Sequence, residues 1–231
     1  MLVWERMTRN PYTVTGDLSV EDALRRMRKL RVRRFPVVDC TGQLVGIVAE
    51  RDLLHVSPSP ATTLSVHEVQ YLLAKLSVSK IMQRQIITVR PDTPVEDAAQ
   101  IMAERKIGGL PVVRTGALVG IITETDLFKA FQEVLGQAKS GVRLTLLVSN
   151  RAGMIAKLTS AITAAGGNVV GLAASSGEDP SSDVITLKVA GVSAQDTLTR
   201  LLRPLVLEVI DVRETAPGSN GEHCPELSLV A

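Results

Sequence analysis

The sequence predicts an α/β (α+β) protein: two copies of one β-α-β-β-α unit, followed by a ferredoxin-like β-α-β-β-α-β unit. Three observations predict it. First, VWERMTRNPYTVTGDLSVEDALRRM, from Val3, lies over VSKIMQRQIITVRPDTPVEDAAQIM, from Val78; Val, Met, Thr-Val, Asp, Val-Glu-Asp-Ala and Met coincide. Second, RFPVVDCTGQLVGIVAERDLL lies over GLPVVRTGALVGIITETDLF, one residue shorter. Third, the texture changes from Val142, where strand-like and helix-like runs follow one another in the order of a split β-α-β unit.

Each copy opens on a short strand, YTV or IITV, and a loop carrying Asp. Ser19 or Pro94 then opens a helix, with acids in its first turn facing the positive end of the dipole. Val20, Leu24 and Met27 recur at helical spacing on one face. The strand FPVVD or LPVVR follows, and a turn at Gly42 or Gly116 leads to LVGIVA or LVGIIT. ERDLLHV or ETDLFKAF begins the closing helix. Between the copies, SPSPATT reads as a loop and SVHEVQYLLAKL as a helix with a Ser65/Glu68 capping box.

In the third unit VRLTLLVSN is strand-like, and AGMIAKLTSAITAAGG sets Ile155, Leu158 and Ile162 on one helical face before a Gly166-Gly167 stop. NVVGLAASS and DVITLKVAG read as strands around the polar turn GEDPSS. SAQDTLTRLLRPL is helical, opened by Ser193, and VLEVIDVRE alternates as a last strand. The tail TAPGSNGEHCPELSLVA is rich in Gly, Pro and Ser, the composition of a poorly ordered terminus. The expected boundaries are 1–56, a linker 57–77, 78–137, 142–214, and a tail 215–231.

Composition narrows the function. With 45% apolar residues but one Trp, two Tyr and three Phe, the core is built from Val, Leu, Ile, Ala and Met. Few aromatics and a net charge of +2 argue against a nucleic-acid platform. No apolar run approaches the ~20 residues that cross a bilayer. The start, MLVWERMTRN, lacks the apolar stretch of a secretory signal, so a cytoplasmic protein is expected. Cys40 and Cys224 have neither metal spacing nor a disulfide framework, and the pair His223/Cys224 reads as incidental, so no metal is expected. Phosphate-loop, dinucleotide, zinc-protease and nucleophile-elbow motifs are absent, and His55, His67 and His223 are scattered. No reaction is called for, and the chain is not expected to be an enzyme.

FPVVD with GIVAERD, and LPVVR with GIITETD, resemble the hydrophobic-Pro-Val-Val strand and Gly-hydrophobic-hydrophobic-Thr-x-x-Asp turn of the cystathionine-β-synthase (CBS) domain. The resemblance covers both copies. It implies a pair of sheets with two clefts between the copies, and an adenine nucleotide (AMP, ADP or ATP) or S-adenosylmethionine as regulatory ligand. In that family the Asp meets ribose hydroxyls, while the Thr and the helix start meet phosphate. Carried over, cleft 2 takes Thr123 and Asp126; cleft 1 takes Asp52, with Ala49 in place of the Thr. Basic residues before the Pro-Val-Val strand reach phosphate: Arg33 and Arg34 in cleft 1, replaced by Gly108 and Gly109 in cleft 2. The other copy's first strand walls each cleft: Ile86, Ile87 and Thr88 near Asp52, and Asn10, Pro11, Tyr12 and Thr13 near Asp126. For both Asp52 and Asp126, plain helix capping is the competing reading. Trp4 is expected in the core.

NRAGMIAKL followed by GGNVVGL is similar to the ACT domain, a small-molecule regulatory module. Its effector turn falls on Asn150, Arg151, Ala152, Gly153 and Met154, with Asn168 and Val169; of the family's Asp-x-Pro-Gly only the Gly remains. The resemblance implies a site for an amino acid or other small metabolite, or a dimerisation module without ligand. The whole arrangement resembles the acetoin-utilisation AcuB-type regulatory proteins, which implies a homodimer acting on a regulated enzyme not named by the sequence. Seven of the ten residues Arg25–Arg34 are basic. Arg25, Arg26, Arg28, Lys29 and Arg31 are expected on a solvated helix face, with a nucleic-acid patch as the alternative.

Overall fold

The computed structural model describes residues 1–56, 68, 73–192 and 195–216. They form two compact units, Met1–Leu127 and Phe128–Ala231. The inter-copy loop, Ser65 of the expected capping box, His67, Ser193 and the tail from 217 on lie outside the described residues.

In the first unit, the first copy runs α1 (Val3–Arg6), β1 (Thr8–Arg9), β2 (Val14–Thr15), α2 (Val20–Leu30), β3 (Arg34–Val38), β4 (Leu44–Ala49) and α3 (Glu50–His55). The second copy opens on a 3₁₀ turn (Val78–Lys80) and continues as α4 (Val95–Arg105), β5 (Gly109–Arg114), β6 (Ala117–Thr123) and α5 (Glu124–Val134), the last of which runs past the unit's end at Leu127. The expected strand IITV contracts to one bridge, Val89 with Val112, the counterpart of the parallel pairing of Val14 with Val37. Ser19 caps α2, its Oγ accepting from Asp22 N at 3.1 Å. Val20, Ala23, Leu24 and Met27 are the buried face of that helix. Helices α2 and α4 both end on a non-glycine residue in the left-handed region, Arg31 (φ 54°) and Lys106 (φ 53°). That ending turns the chain out of the helix and into the Pro-Val-Val strand.

The repeated units of sequence are not the units of packing. The sheets are β2-β3-β4 and β1-β6-β5. Strand β1, near the start of the first copy, pairs antiparallel with β6 of the second, Thr8 opposite Ile121. Gln83 makes the equivalent bridge to Ile47 of the first copy. The cores follow the same exchange. Val3 is buried with Leu110, Val112 and Ile122 of the second copy, while Val78 and Met82 are buried with Phe35, Val37 and Leu53 of the first. Two glycines make this possible. A Cβ at Gly46 would run into the Met82 side chain, and one at Gly120 into that of Met7.

In the second unit the order is β7 (Gly141–Ser149), α6 (Met154–Ala164), β8 (Asn168–Ser176), β9 (Ser182–Ala190), α7 (Gln195–Leu202) and β10 (Glu208–Thr215). The sheet runs β10-β7-β9-β8, every pair antiparallel. This is the expected ferredoxin-like arrangement. Val142, Leu144, Leu146 and Val148 alternate inward against Leu158, Ile162, Leu198 and Leu202. Ile155, expected on that face, is exposed instead, and Met154 beside it in the first turn of α6 packs on the core. Among the described residues no helix is long and apolar enough to cross a membrane, and no cluster of His, Cys, Asp or Glu could hold a metal ion.

Candidate functional site

A cavity of about 410 Å³ opens between the two copies of the first unit. From the second copy it takes Gly108, Ile121, Thr123, Glu124, Thr125 and Asp126; from the first, Thr8, Pro11, Tyr12, Val32, Pro36, and three arginines, Arg31, Arg33 and Arg34.

Asp126 sits in the first turn of α5. Its Oδ2 accepts from the Thr123 backbone N at 2.9 Å and from Thr123 Oγ1 at 2.7 Å. Capping is therefore satisfied by one carboxylate oxygen. Oδ1 has no partner among the described residues, so capping and ligand binding do not compete for the same atom. The N-terminus of α5 adds backbone N–H groups and partial positive charge to the same wall. In the first copy Asp52 Oδ2 accepts from Ala49 N at 3.2 Å, and no hydroxyl supports it.

The arginines correct the expected division of the clefts. Arg33 and Arg34 were assigned with Asp52, yet they line the cavity of Thr123 and Asp126, and Arg31 joins them. The physical reason is the near-symmetric facing of the two copies across the cleft. The residues before one copy's Pro-Val-Val strand confront those of the other, Arg34 lying against Gly108 and Gly109. Gly108 and Gly109 make the room: a Cβ at Gly108 would lie 2.6 Å from Arg34 Nη2 and 2.7 Å from Glu124 Oε2, and one at Gly109 would meet the same guanidinium. Arg34 uses that space to donate from Nη1 to the carbonyl oxygen of Gly108. Burial pushes its pKa below the ordinary guanidinium value, and Glu124 works in the opposite direction.

Asp52 lines a separate, wide hollow with Glu50, Arg51, His55, Lys80, Ile81 and Gln83. Ala49, Ile86, Ile87 and Thr88, expected beside it, are not in that lining. In the other cleft Pro11 and Tyr12 take the expected places, whereas Asn10, Thr13 and Gly109 stand outside the lining. Trp4, expected in the core, is 43% exposed, with the Arg9 guanidinium 6.0 Å from its ring centre. The basic run divides. Arg25, Arg26, Arg28 and Lys29 are exposed on α2, with Arg25 paired to Asp22, while Arg31 turns to the cleft. The sequence held one signal for Arg31, its alignment with the basic Lys106 at the end of the equivalent helix.

The expected effector turn of the second unit does not close into one site within a chain. Asn150 N donates to Ser181 O at one end of β9, while Asn168 pairs with Ala190 at the other. Nine residue steps along the strand separate Ser181 from Ala190, roughly 30 Å. Asn150–Gly153 are exposed and Met154 is half-buried.

The CBS domain profile matches residues 3–59 and 78–133. A CBS domain-containing protein of Dictyostelium discoideum is 33% identical over 136 residues, 58% of this chain and 94% of that protein. The chain belongs to the CBS-domain family. Solved CBS structures are similar as well. An acetoin utilization protein (AcuB) of Vibrio cholerae is 32% identical, with a TM-score of 0.49 over 58% of this chain and 93% of that one. CBSX2 of Arabidopsis thaliana, solved in complex with AMP, is 33% identical, with a TM-score of 0.48 over 58% and 97%.

Proposed function

We propose that this chain is a non-catalytic regulatory protein whose CBS pair binds an adenine nucleotide, or a related adenosyl compound, in the cleft of Thr123 and Asp126. The observation that carries the reading is the Thr123–Asp126 pair at the start of α5, which presents Oδ1 to a cavity walled by Pro11, Tyr12 and Ile121. Two adjacent ribose hydroxyls suit a carboxylate oxygen held this firmly. The α5 N-terminus and the arginines suit phosphate. An apolar wall suits a purine. The hollow at Asp52, without the Thr hydroxyl and without Arg31, Arg33 and Arg34 in its lining, is the weaker site.

The second unit is an ACT-like module in this reading. Its effector residues lie at opposite ends of β9, so a complete site would draw Asn150–Gly153 from one chain and Asn168–Val169 from another. A homodimer follows, as in an AcuB-type cytoplasmic regulator. Regulation is by linkage: ligand favours one arrangement of the chain and so changes the surface offered to a partner enzyme.

Isothermal titration and thermal shift with AMP, ADP, ATP and S-adenosylmethionine test the proposal; AMP, held by CBSX2, comes first. Saturable binding that Asp126→Ala abolishes and Asp52→Ala leaves is the expected result. Absence of any shift at millimolar adenine compound would overturn it.

A further inference from the structure

Another cavity of the first unit, about 380 Å³, opens at the end of β5 remote from the Thr123–Asp126 cleft. Gly109 starts that strand beside the cleft-lining Gly108, and Arg114 ends it five residue steps on, roughly 17 Å away. Buried Pro91 and half-buried Val113 give the cavity its apolar lining, and Trp4, Arg90 and Arg114 stand exposed at it. The backbone fixes these groups. Trp4 N donates to Pro91 O at 3.0 Å, beside the fully buried Val3. Thr115 (φ 48°) and Gly116 (φ 86°) both take the left-handed region and make the two-residue turn that sets Arg114 opposite Ala117. Asp92, the acid of the lining, holds Arg90 through both oxygens, at 2.9 and 3.1 Å. Those hydrogen bonds keep its carboxyl below the ordinary range, and the charge of Arg114 acts in the same direction. The Arg114 guanidinium itself makes no hydrogen bond or ion pair among the described residues, nor does the Trp4 indole N–H donate one. Two bases against one acid leave the lining positive, and Arg9, 6.0 Å from the centre of the Trp4 ring, adds to that sign.

The first copy supplies the comparison. Its equivalent corner has Ser79, Thr15, Gly16 and Asp39 where the second has Trp4, Arg90, Pro91 and Arg114. The backbone contact is kept, Ser79 N donating to Gly16 O at 2.8 Å. A Cβ on Gly16 would lie 3.1 Å from Ser79 Cβ, so that corner is packed close, and its charged residues, Asp17 and Asp39, are acids. The fold therefore demands neither the indole nor the arginines. We infer that the corner of Trp4 and Arg114 is a second ligand site, independent of the nucleotide cleft, which takes a small aromatic carboxylate. The ring lies against the indole, and the carboxylate accepts from the Arg114 guanidinium, whose fork matches two carboxylate oxygens. An aliphatic acid would engage only the arginine and an uncharged aromatic only the indole. The two together select the class.

Trp4 is the only Trp of the chain, so a single indole N–H cross-peak in the NMR spectrum reports this site. The full chain is titrated with phenylacetate, cyclohexylacetate and phenylacetamide, which share one outline; the second lacks the aromatic ring and the third the charge. Phenylacetate is expected to move the peak saturably, with half-saturation at roughly millimolar concentration. Cyclohexylacetate should need roughly three- to tenfold more, and phenylacetamide about tenfold more. Arg114→Ala should weaken phenylacetate about tenfold. Trp4→Leu should weaken it as well, read from the Thr115 and Gly116 amides. Both side chains are exposed, so neither change opens the core. Should a variant fail to fold, the wild-type series decides alone. A peak that stays still or drifts without saturating, an equal response to all three compounds, or wild-type affinity in folded Arg114→Ala overturns the inference.

Discussion

Oγ1 of Thr123 stands 2.7 Å from Oδ2 of Asp126, and at the same place in the first copy Ala49 offers Asp52 only its backbone N–H. The turns, Ala49-Glu50-Arg51-Asp52 and Thr123-Glu124-Thr125-Asp126, differ also at Arg51 and Thr125, but the Thr123 hydroxyl is the difference that touches the carboxylate. Thr123→Val is expected to cost about 1 kcal/mol of stability and to weaken nucleotide binding by loosening Asp126. Ala49→Thr should gain roughly 0.5–1 kcal/mol by completing the cap. Urea unfolding of both variants checks the pair of signs.

Gly120 and Gly46 face methionine side chains, Met7 and Met82, that arrive from the exchanged segments. Gly120→Ala should cost roughly 1–3 kcal/mol, since the methionine must move to admit a methyl group. Gly120→Val should cost more, and Met7→Ala combined with Gly120→Ala should recover part of the loss. Thermal melts of the double-mutant cycle measure that coupling.

Val3 lies outside the second repeat by sequence yet is buried in its core. Val3→Ala is expected to remove roughly 2–3 kcal/mol. The loss should be local. Amide exchange should quicken in β5 and β6 more than in β3 and β4. Equal acceleration in both sheets would contradict the exchanged packing.

The Arg213 guanidinium, with Arg143 behind it, holds the Asp211 carboxyl below its ordinary range. The folded pKa is thus depressed below the unfolded value near 3.9. The linked stability is present above about pH 4 and is lost as pH falls through the folded value. Asp211→Asn should leave the second unit less stable near pH 6 and flatten its acid dependence between about pH 4 and 2. Because the pair is partly exposed, added salt should shrink the difference. Amide exchange in β7 and β10 at two pH values provides the measurement.

Much of this was legible in the sequence, for reasons that differ by element. The repeat marked both Pro-Val-Val strands and both Asp turns, because local spacing and caps determine them. The exchange of β1 and Gln83 was not legible: two-residue strands carry no pattern that says which sheet they join, and Gly46 and Gly120 read as ordinary strand glycines until the methionines over them are seen. Arg33 and Arg34 are legible as basic residues ahead of a Pro-Val-Val strand, but not the cavity they line, since sequence gives the position of a side chain and not the wall it reaches across to. Arg31 was hidden in a helical charge run, with only its alignment to Lys106 to mark it, and its left-handed backbone is seen only in the structure. The separation of Asn150 from Asn168 could have been read. A helix that returns along the sheet starts the next strand at the far end, and the predicted order already contained that path.

The exchanged segments have a consequence for descent as well as for folding. One repeat alone would hold its opening segment where no surface of its own receives it, and would leave the floor under Gly46 or Gly120 bare. Two such short chains would satisfy each other by trading those segments. The first unit is thus a swapped dimer written into a single polypeptide. Within one polypeptide the first half carries Arg33 and Arg34 where the second carries Gly108 and Gly109, an asymmetry that two identical chains could never have.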